Sequence, residues 1–505
     1  MSSQVTPVNL VDPSAYAAGP PIDFFTYLRN NEPVWWHPSD EYAPGFWVCT
    51  KYRDVIDIER NTAVFSSARG GALLVEQVEG TELMMLNQDA PQHTRLRNLV
   101  ARGFTPKVTK QLEAPIRESA RKIVDAVIDR DDAYDFVPNL AAELPLVVIA
   151  ELLGVPYEDR GKIFEWSNRM IGAEDPEYGA GGPEAAMMAS MELYAYAQSL
   201  ADSRRERPLD DIVSTLINAE LEGEKLSDIE FNVFVLLLSV AGNETTRNLI
   251  SGGMYTLLTH PEQMERLQGD LDGLLDPAVD EMLRYVSPVM YFRRTATQDA
   301  EIRGVPIKEG DKVTVWYGSA NRDEDIFPDS QVFDVARTPN EHIAFGGRGP
   351  HYCLGASLAK MEIKVMFEEI LTRYPTRQAA TIPALHLCQD QHGWISDEIC
   401  EWVATRLGLS AAHVKGVVTF YTLYNKEPVG KHQVWVCRTL SCALRGGESI
   451  LKHCEKKLGV HAGETTRGGE ITLRTAECLA SCGTGPMMQV DKTYHENLTL
   501  AEVDR

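Results

Sequence analysis

The chain has 505 residues, 44% of them hydrophobic and 24% charged, and this composition predicts a soluble globular protein with more than one domain. The formal net charge is −24, yet residues 376–505 hold 14 Lys and Arg against 14 Asp and Glu, so the whole negative excess precedes Thr376. So acidic a surface argues against nucleic acid and anionic membranes as partners. The uneven charge indicates two parts of different origin.

No targeting signal is visible. Met1–Pro13 is polar and lacks the basic and apolar regions of a signal peptide. The most apolar stretch, Val233–Gly242, is too short to cross a bilayer. We therefore expect a cytoplasmic protein without a transmembrane segment. Its nine cysteines, seven of them between Cys388 and Cys482, are then expected to be metal ligands or free thiols rather than disulfides.

The N-terminal part is predicted to be mainly helical, with short strands between Gly and Pro turns. Helical spacing of apolar residues predicts helices over Gln111–Ile128, Glu184–Arg204, Asp228–Leu258, Ala278–Val286 and Ala356–Leu371, and strands are predicted at Gly45–Thr50 and Lys312–Tyr317.

From about Ala379 the pattern changes to that of a small α/β domain with a central sheet. We predict helices over Thr381–His392, Ser396–Leu407, Ala411–Tyr424 and Gly447–Gly459, and strands over Gln433–Val436, Ile471–Thr475 and Met487–Val490. No Gly/Ser linker separates the two parts, since a predicted helix, Ile363–Tyr374, runs directly into Pro375.

One isolated cysteine lies in a glycine-rich segment, Phe345-Gly-Gly-Arg-Gly-Pro-His-Tyr-Cys353-Leu-Gly. Glycines let the backbone fold closely around the sulfur and direct N–H groups at it, and the N-terminus of the helix that follows favours a thiolate. A haem-ligating thiolate is one interpretation. A buried, inert cysteine beside a Gly-rich turn is the other, and for an isolated cysteine it is the favoured one.

Three further segments bear on that choice. Ala241-Gly-Asn-Glu-Thr-Thr246 places an acid and hydroxyls in an apolar helix, where Glu is rare without cause. Glu281 and Arg284 lie at i, i+3 on one helix face, and an irregular segment, Asn321–Arg337, precedes the cysteine loop.

These motifs, in this order and at these separations, resemble the cytochrome P-450 family over about residues 8–373. The resemblance implies the mainly α P-450 fold with small β-sheets, haem b bound through Cys353, and insertion of one atom of O2 into an apolar substrate. It also implies proton delivery by Thr245 and Glu244.

The family resemblance assigns two more groups of residues. His93, Arg97, Arg294 and His351 would hold the haem propionates, as Arg and His suit buried carboxylates. From the sequence alone, a solvated basic helix face is the alternative for His93 and Arg97. Glu281, Arg284 and Arg337 would form a structural ion network.

The substrate class follows from a finer resemblance. The runs Met85–Thr94, Glu174–Tyr178 and Ser239–Asn248 look like actinobacterial P-450s that hydroxylate the terminal side-chain carbon of cholesterol and related steroids. A steroid-like substrate is therefore expected, with electrons from a ferredoxin and its reductase. Val289, Met290 and Tyr291 would line the pocket, although core packing explains them equally well.

Two cysteine pairs follow, Cys437-Arg-Thr-Leu-Ser-Cys442 and Cys478-Leu-Ala-Ser-Cys482. Four thiolates can bind Zn²⁺ or an iron–sulfur cluster. The spacings are looser than the two-residue knuckles usual for structural zinc, so the cluster is favoured and zinc stays open.

With His392-Gly-Trp-Ile and Val418-Thr-Phe-Tyr-Thr, these cysteines resemble the E subunit of bacterial NADH:quinone oxidoreductase over about residues 374–505. That family implies a thioredoxin-like fold with an N-terminal helical bundle, a [2Fe–2S] cluster on the four cysteines, and a partner subunit that binds NADH and flavin. A peripheral place at the inner membrane, within a respiratory complex, would follow. No phosphate-cradling Gly loop is visible in this part.

The predicted domains are 1–375, P-450-like but without the family's usual C-terminal β element, and 376–505. Three hypotheses remain: a monooxygenase with a fused electron-transfer domain, an electron-transfer subunit with a passive P-450 appendage, or a non-functional gene fusion. A covalent tether favours the first hypothesis, because it raises effective concentration. The missing linker and pocket element favour the third.

Overall fold

In a computed structural model, the chain divides into two compact units, Met1–Pro375 (unit 1) and Thr376–Arg505 (unit 2). The structure describes all residues except 1–6, 18, 40–43, 75–79, 129–133, 172–181, 210, 222, 374–380, 422, 492 and 505.

Unit 1 is mainly helical. Its helices are α1 (Ile22–Asn31), α2 (Tyr52–Arg60), α3 (Gln92–Val100), α4 (Pro106–Ile128), α5 (Glu143–Leu152), α6 (Arg160–Ile171), α7 (Gly182–Glu206), α8 (Ile212–Ile217), α9 (Asp228–Thr259), α10 (Pro261–Gly269), α11 (Leu271–Val286), α12 (Tyr317–Ala320) and α13 (Ala356–Arg373). Its strands are β1 (Val34–His37), β2 (Phe46–Cys49), β3 (Phe65–Ser66), β4 (Glu220–Leu221), β5 (Glu224–Lys225), β6 (Tyr291–Ala296), β7 (Ala300–Ile302), β8 (Val305–Ile307) and β9 (Lys312–Trp316).

Helix α9 runs for 32 residues through the main core. Ser227 begins it with a capping box, in which its hydroxyl accepts from the Glu230 N–H and the Glu230 carboxylate accepts from the Ser227 N–H. The helix ends at Thr259, with His260 as its C-cap, and Pro261 opens α10. It packs against α5, α7, α11 and α13, which hold the buried side chains of its inner faces.

The largest sheet described in unit 1 has five strands and carries Tyr291 and Arg294 on β6, an interior strand. The strand order is β1-β2-β9-β6-β3, and only the β2–β9 pair is parallel. A second core lies on this sheet and is built from α2, β9 and residues such as Phe327 and Ile343. Strand β6 pairs Tyr291 with Trp316 and Arg294 with Val313, which fixes the register of both.

The predicted ion network is present and anchors the irregular segment before the cysteine loop. Arg284 and Glu281 form a fully buried pair, 2.7 Å apart. The Arg284 guanidinium also donates to the carbonyls of Asn321 and Ser330, at 2.9 and 2.8 Å. Arg337 donates to Glu281 at 3.1 Å. Residues 321–337 are therefore tied to α11 through charged hydrogen bonds.

Unit 2 combines a helical N-terminal part with a small mixed sheet. Its helices are α14 (Thr381–His392), α15 (Asp397–Leu407), α16 (Ala411–Phe420), α17 (Leu440–Leu444), α18 (Gly447–Leu458) and α19 (Leu500–Val503); its strands are β10 (His432–Cys437), β11 (Ile471–Ala476), β12 (Met488–Val490) and β13 (Thr493–His495). The strand order is β11-β10-β12-β13, with β10 and β11 parallel and the other pairs antiparallel.

The predicted helices and strands all appear, with shifted ends. The clearest correction is the helix predicted over Ala411–Tyr424, which ends at Phe420. The chain turns extended at Tyr421 so that the Tyr424 hydroxyl can donate to the Ile382 carbonyl of α14, 3.1 Å away. Among the described residues, no helix is both long and apolar enough to span a membrane.

Candidate active site and metal centre

Unit 1 encloses a mostly apolar cavity of about 440 Å³. Its walls come from α9, from the segment that carries Cys353, from the start of α13, and from β6 and the residues before it. Apolar lining residues include Phe234, Leu238, Val289, Phe292 and Leu358 of these elements, and Leu86 from the turn before α3. The polar lining residues are few, which is typical of a site for an apolar ligand.

Cys353 faces this cavity, where its side chain is exposed. Its N–H donates to the Phe345 carbonyl at 2.9 Å, which closes the loop. The pKa of the thiol is raised overall by burial, which outweighs the lowering by the Gly355 N–H that donates to the sulfur and by the Arg97 charge. The backbone donor expected from the glycine-rich sequence is therefore present, and it favours the thiolate.

The glycines of this loop are required by close packing on α2. A Cβ at Gly349 would lie 2.3 Å from the backbone oxygen of Glu59, and one at Gly347 would lie 3.0 Å from the Cα of Ile56. Neither contact leaves room for a side chain. The loop before Cys353 therefore lies directly against helix α2.

Thr245 and Glu244 line the same cavity from α9. The Thr245 hydroxyl donates to the Ala241 carbonyl at 2.8 Å, one turn earlier. The Glu244 carboxylate pairs with Arg247 at 3.1 Å, and Arg247 is only 13% exposed. The structure thus brings an acid and a hydroxyl to the cavity that Cys353 also faces.

His93, Arg97 and His351 line one part of the cavity, and Arg294 lies behind that wall. The rings of His93 and His351 are 4.1 Å apart. Burial and then the charge of Arg294 lower the pKa of His351 to about 3, and burial and then Arg97 lower the pKa of His93. Both histidines are therefore neutral at pH 7, and the positive charge here belongs to the arginines.

Glu362 is a cavity residue that the sequence analysis missed. It lies on α13, is 3% exposed, and lines the cavity. Its Oε2 has no hydrogen-bond partner among the described residues. Burial raises its pKa well above the usual range, so the protein interior favours the neutral, protonated form. One acid in an amphipathic helix gives no sequence signal of this kind.

The residues expected to line the pocket are only partly confirmed. Val289 and Tyr291 do so, whereas Met290, between them, is 40% exposed and is not a lining residue. Alternation along an extended segment turns the middle side chain away. The run Glu174–Tyr178 lies outside the described residues.

In unit 2 the four predicted cysteines come together as two pairs. Cys437 ends β10 and Cys442 lies in α17, while Cys478 follows β11 and Cys482 opens a short 3₁₀ helix. Cys437 and Cys442 interact through their thiols, as do Cys478 and Cys482. Cys437 and Cys442 are buried, and Cys478 and Cys482 are exposed.

Local hydrogen bonds favour thiolates at two of these positions. For Cys437, donors led by the Thr439 hydroxyl, 3.3 Å from the sulfur, outweigh burial and lower the pKa. The Thr439 hydroxyl and the Ala480 N–H lower the pKa of Cys478. Burial raises the pKa of Cys442, and Gly485 packs so closely that a Cβ there would lie 2.9 Å from its sulfur.

The arrangement of these thiols bears on whether they would bind a zinc ion or an iron–sulfur cluster. Within the part of the chain that the structure describes, no three His, Cys, Asp or Glu side chains converge as ligands of one metal ion. The two cysteine pairs are neighbours, since the Thr439 hydroxyl bonds to both Cys437 and Cys478. Four thiols so arranged would suit the ligand set of a [2Fe–2S] cluster.

Comparison with known proteins identifies both units. The family model for cytochrome P450 matches residues 187–383. Steroid C26-monooxygenase of Mycobacterium tuberculosis is 43% identical over 401 residues, which cover 77% of this chain and 90% of that protein. The chain belongs to the cytochrome P450 family. Methyl-branched lipid omega-hydroxylase of the same organism is 44% identical over 379 residues, covering 73% of this chain and 88% of that protein.

Solved structures agree with this P450 assignment. The cytochrome P450 of Mycobacterium marinum in complex with pseudoionone has 38% identity and a TM-score of 0.68, and the match covers 74% of this chain and 94% of that one. A Bacillus megaterium P450 in complex with corticosterone has 37% identity and a TM-score of 0.62, and the match covers 70% of this chain and 90% of that one. The mainly helical P450 fold is confirmed.

The C-terminal part matches the family model for thioredoxin-like [2Fe-2S] ferredoxins over residues 367–505. This match overlaps the P450 match over residues 367–383, at the end of α13 and the start of α14. The chain is therefore a P450 monooxygenase fused to a ferredoxin-type domain. Haem and a [2Fe–2S] cluster are its cofactors.

The P450 cavity fits a haem on structural grounds. It combines an accessible thiol with apolar walls, and two arginines lie near one end. The Nε2 of His93 is buried without a hydrogen-bond partner among the described residues, as is the Nε of Arg294. Buried donors of this kind require an acceptor, and carboxylates of a ligand would supply one.

Proposed function

We propose that the P450 unit hydroxylates an apolar molecule with a long hydrocarbon skeleton, of the steroid or methyl-branched lipid class. The support is twofold. The cavity walls are mostly apolar, so substrate binding would rely on burial of hydrocarbon surface. Curated relatives at 43% and 44% identity act, by their names, on steroids and on methyl-branched lipids.

The observation that carries the proposal is the position of Cys353, whose thiol faces the cavity that Thr245 and Glu244 also line. Cys353 would be the axial ligand. A haem bound through a cysteine thiolate activates O2 for insertion of one oxygen atom into a C–H bond. His93, Arg97, His351 and Arg294 would hold the propionates, with neutral histidines as donors and the arginines as counter-charges.

Protons would reach the cavity from α9. Glu244 is half-buried and paired with Arg247, which places an ionisable group between the protein interior and the cavity. Thr245 would accept a proton from that direction and donate one into the cavity, since a hydroxyl can do both. The remaining walls are mostly apolar, so a bound apolar substrate would displace water from them and limit side reactions.

In unit 2, Cys437, Cys442, Cys478 and Cys482 would be the cluster ligands. We propose that this unit supplies electrons to the monooxygenase and receives them from a flavin- and NADH-binding partner. A ferredoxin with its reductase is the other source. We also propose that the P450 unit ends at Pro375 without the C-terminal β element of its family, because α13 ends at Arg373 and the compact unit ends two residues later.

The first test is the absorption spectrum of the reduced, carbon-monoxide-bound full chain. A strongly red-shifted Soret band is expected, and it should be lost in Cys353→Ser. Cys49→Ala is the matched control, since Cys49 is the other cysteine of unit 1 and is buried in β2. Steroids and methyl-branched fatty acids would then be screened for spectral shifts.

The alternatives predict other spectra. A chain with cluster absorption but no red-shifted band would be an electron-transfer protein with a passive P450 appendage. A chain with neither signal would be a non-functional fusion.

A further inference from the structure

We propose that Glu59 is a positioning residue of the haem pocket, which joins the Cys353 loop to Arg294 and sets the charge beside the porphyrin. The inference rests on the proposed haem site. Glu59 belongs to α2, far in sequence from the cysteine motif, and it is not a cavity-lining residue. It acts through the residues that it contacts.

Glu59 is 4% exposed, and its carboxylate is surrounded by donors. Oε1 accepts from the Tyr317 hydroxyl at 2.5 Å and from Arg294 at 3.3 Å. Oε2 accepts from the Gly347 N–H. A buried carboxylate is stable only with such partners, and here the three partners come from three separate parts of the P450 unit.

Each partner leads to the haem site. Tyr317 lines the cavity. Gly347 is part of the loop that ends in Cys353, and Gly349, two residues on, packs against the backbone of Glu59 itself. Glu59 therefore fixes the loop twice, once through its side chain and once through its main chain. A shift of this carboxylate would move the cysteine relative to the cavity wall.

The third partner gives Glu59 an electrostatic role. Arg294 is 1% exposed, and among the described residues it donates to the Arg293 carbonyl at 2.8 Å and to Glu59. Glu59 is thus its carboxylate partner, and it offsets part of the positive charge that the pocket would present to the propionates. Loss of the Glu59 charge would favour the reduced, more negative haem, because the field at the pocket becomes more positive.

The test is Glu59→Gln in the full-length holoprotein, measured by redox titration of the haem. Gln keeps the shape but removes the charge. We expect at least a tenfold shift of the equilibrium toward reduced haem, about 59 mV for one electron. Asp57→Asn is the matched control, since Asp57 is an exposed acid on the same helix. The haem reduction potential of this variant should stay at the wild-type value.

A second variant protects the test against misfolding of Glu59→Gln. Tyr317→Phe removes one donor to Glu59 and keeps the carboxylate. It should weaken haem retention severalfold, measured as haem transfer to an excess of apomyoglobin, while the potential moves less than in Glu59→Gln.

The outcomes separate the two proposals. A wild-type chain without a red-shifted carbon-monoxide band would overturn the haem site itself, and the role of Glu59 with it. A wild-type chain with that band, but with equal potentials in wild type and Glu59→Gln, would overturn only the role of Glu59. If Glu59→Gln does not fold, unchanged haem retention in Tyr317→Phe would overturn that role.

Discussion

The imidazole rings of His93 and His351 lie 4.1 Å apart, although helix α3 carries one and the cysteine loop carries the other. His351 donates to the Gln88 carbonyl, whereas the Nε2 of His93 has no partner among the described residues. His351 therefore has an acceptor within the protein, whereas the Nε2 of His93 has none. An acceptor on a ligand would supply the missing hydrogen bond.

His93→Phe tests that reading. The ring stacking is kept and the donor is lost, so we expect haem affinity to fall by roughly tenfold, the usual effect of losing one hydrogen bond to a charged group. Haem transfer to apomyoglobin would measure it. Arg95→Gln is the control, because Arg95 lies on the same helix but pairs with Glu230. Equal loss in both variants would contradict a specific role for His93.

Thr245→Ala removes the hydroxyl that α9 presents to the cavity. If Thr245 passes protons, product formed per electron consumed should fall by roughly a hundredfold, the lower range for loss of a general acid. Oxygen consumption should continue as hydrogen peroxide forms. Thr245→Ser should restore most of the coupling; a Ser variant as poor as Ala would show that the methyl group matters and the hydroxyl does not.

Glu362→Gln should change how stability depends on pH. Because burial raises the pKa of Glu362, the folded state holds this proton where the unfolded chain has lost it. Wild-type stability therefore falls as pH rises above about 4.3, by up to ~1.4 kcal/mol per pH unit from this group, until the folded pKa is reached. Gln has no such loss. In thermal unfolding followed at the Soret band, the midpoint of the variant should rise relative to that of wild type between pH 5.5 and pH 8. A constant difference between the two midpoints across this range would contradict the prediction.

The Glu281–Arg284 pair predicts a large stability loss. Both side chains are fully buried, so Glu281→Gln leaves Arg284 charged without its carboxylate, at a cost of about 3–5 kcal/mol. Denaturant unfolding monitored on haem absorbance would measure this. Glu301→Gln, an exposed acid on β7, is the comparison and should change stability by less than about 0.5 kcal/mol.

Cys442→Ser should abolish the cluster without affecting the haem band. Serine cannot replace a thiolate on iron at full strength, so we expect loss of bound iron and sulfide from the ferredoxin unit. Cys454→Ser is the control, since Cys454 is buried in α18 and belongs to the hydrophobic core rather than to the cysteine pairs. Loss of the cluster in both variants would mean that folding, not ligation, was lost.

Local patterns predicted most of the fold. Helical spacing located α4, α7, α9 and α11, and the motifs around Cys353 and the paired cysteines pointed to the two candidate sites. These signals lie within short stretches of chain, where spacing reflects geometry directly. The same holds for Glu281 and Arg284, which are one turn apart.

Long-range contacts were beyond such patterns. Glu59 meets Gly347 across 288 residues, and nothing in the sequence of α2 marks one of its acids as buried. Glu362 is hidden for the same reason. The end of α16 was misplaced because Tyr424 leaves the helix for a partner on α14, and periodicity cannot report a competing tertiary contact.

Gly485 has one further consequence for the ferredoxin unit. A Cβ at this position would lie 2.9 Å from the sulfur of Cys442, so no residue larger than glycine fits without moving that thiol. Any substitution of Gly485 would therefore displace a candidate cluster ligand directly, although Gly485 itself supplies no donor atom.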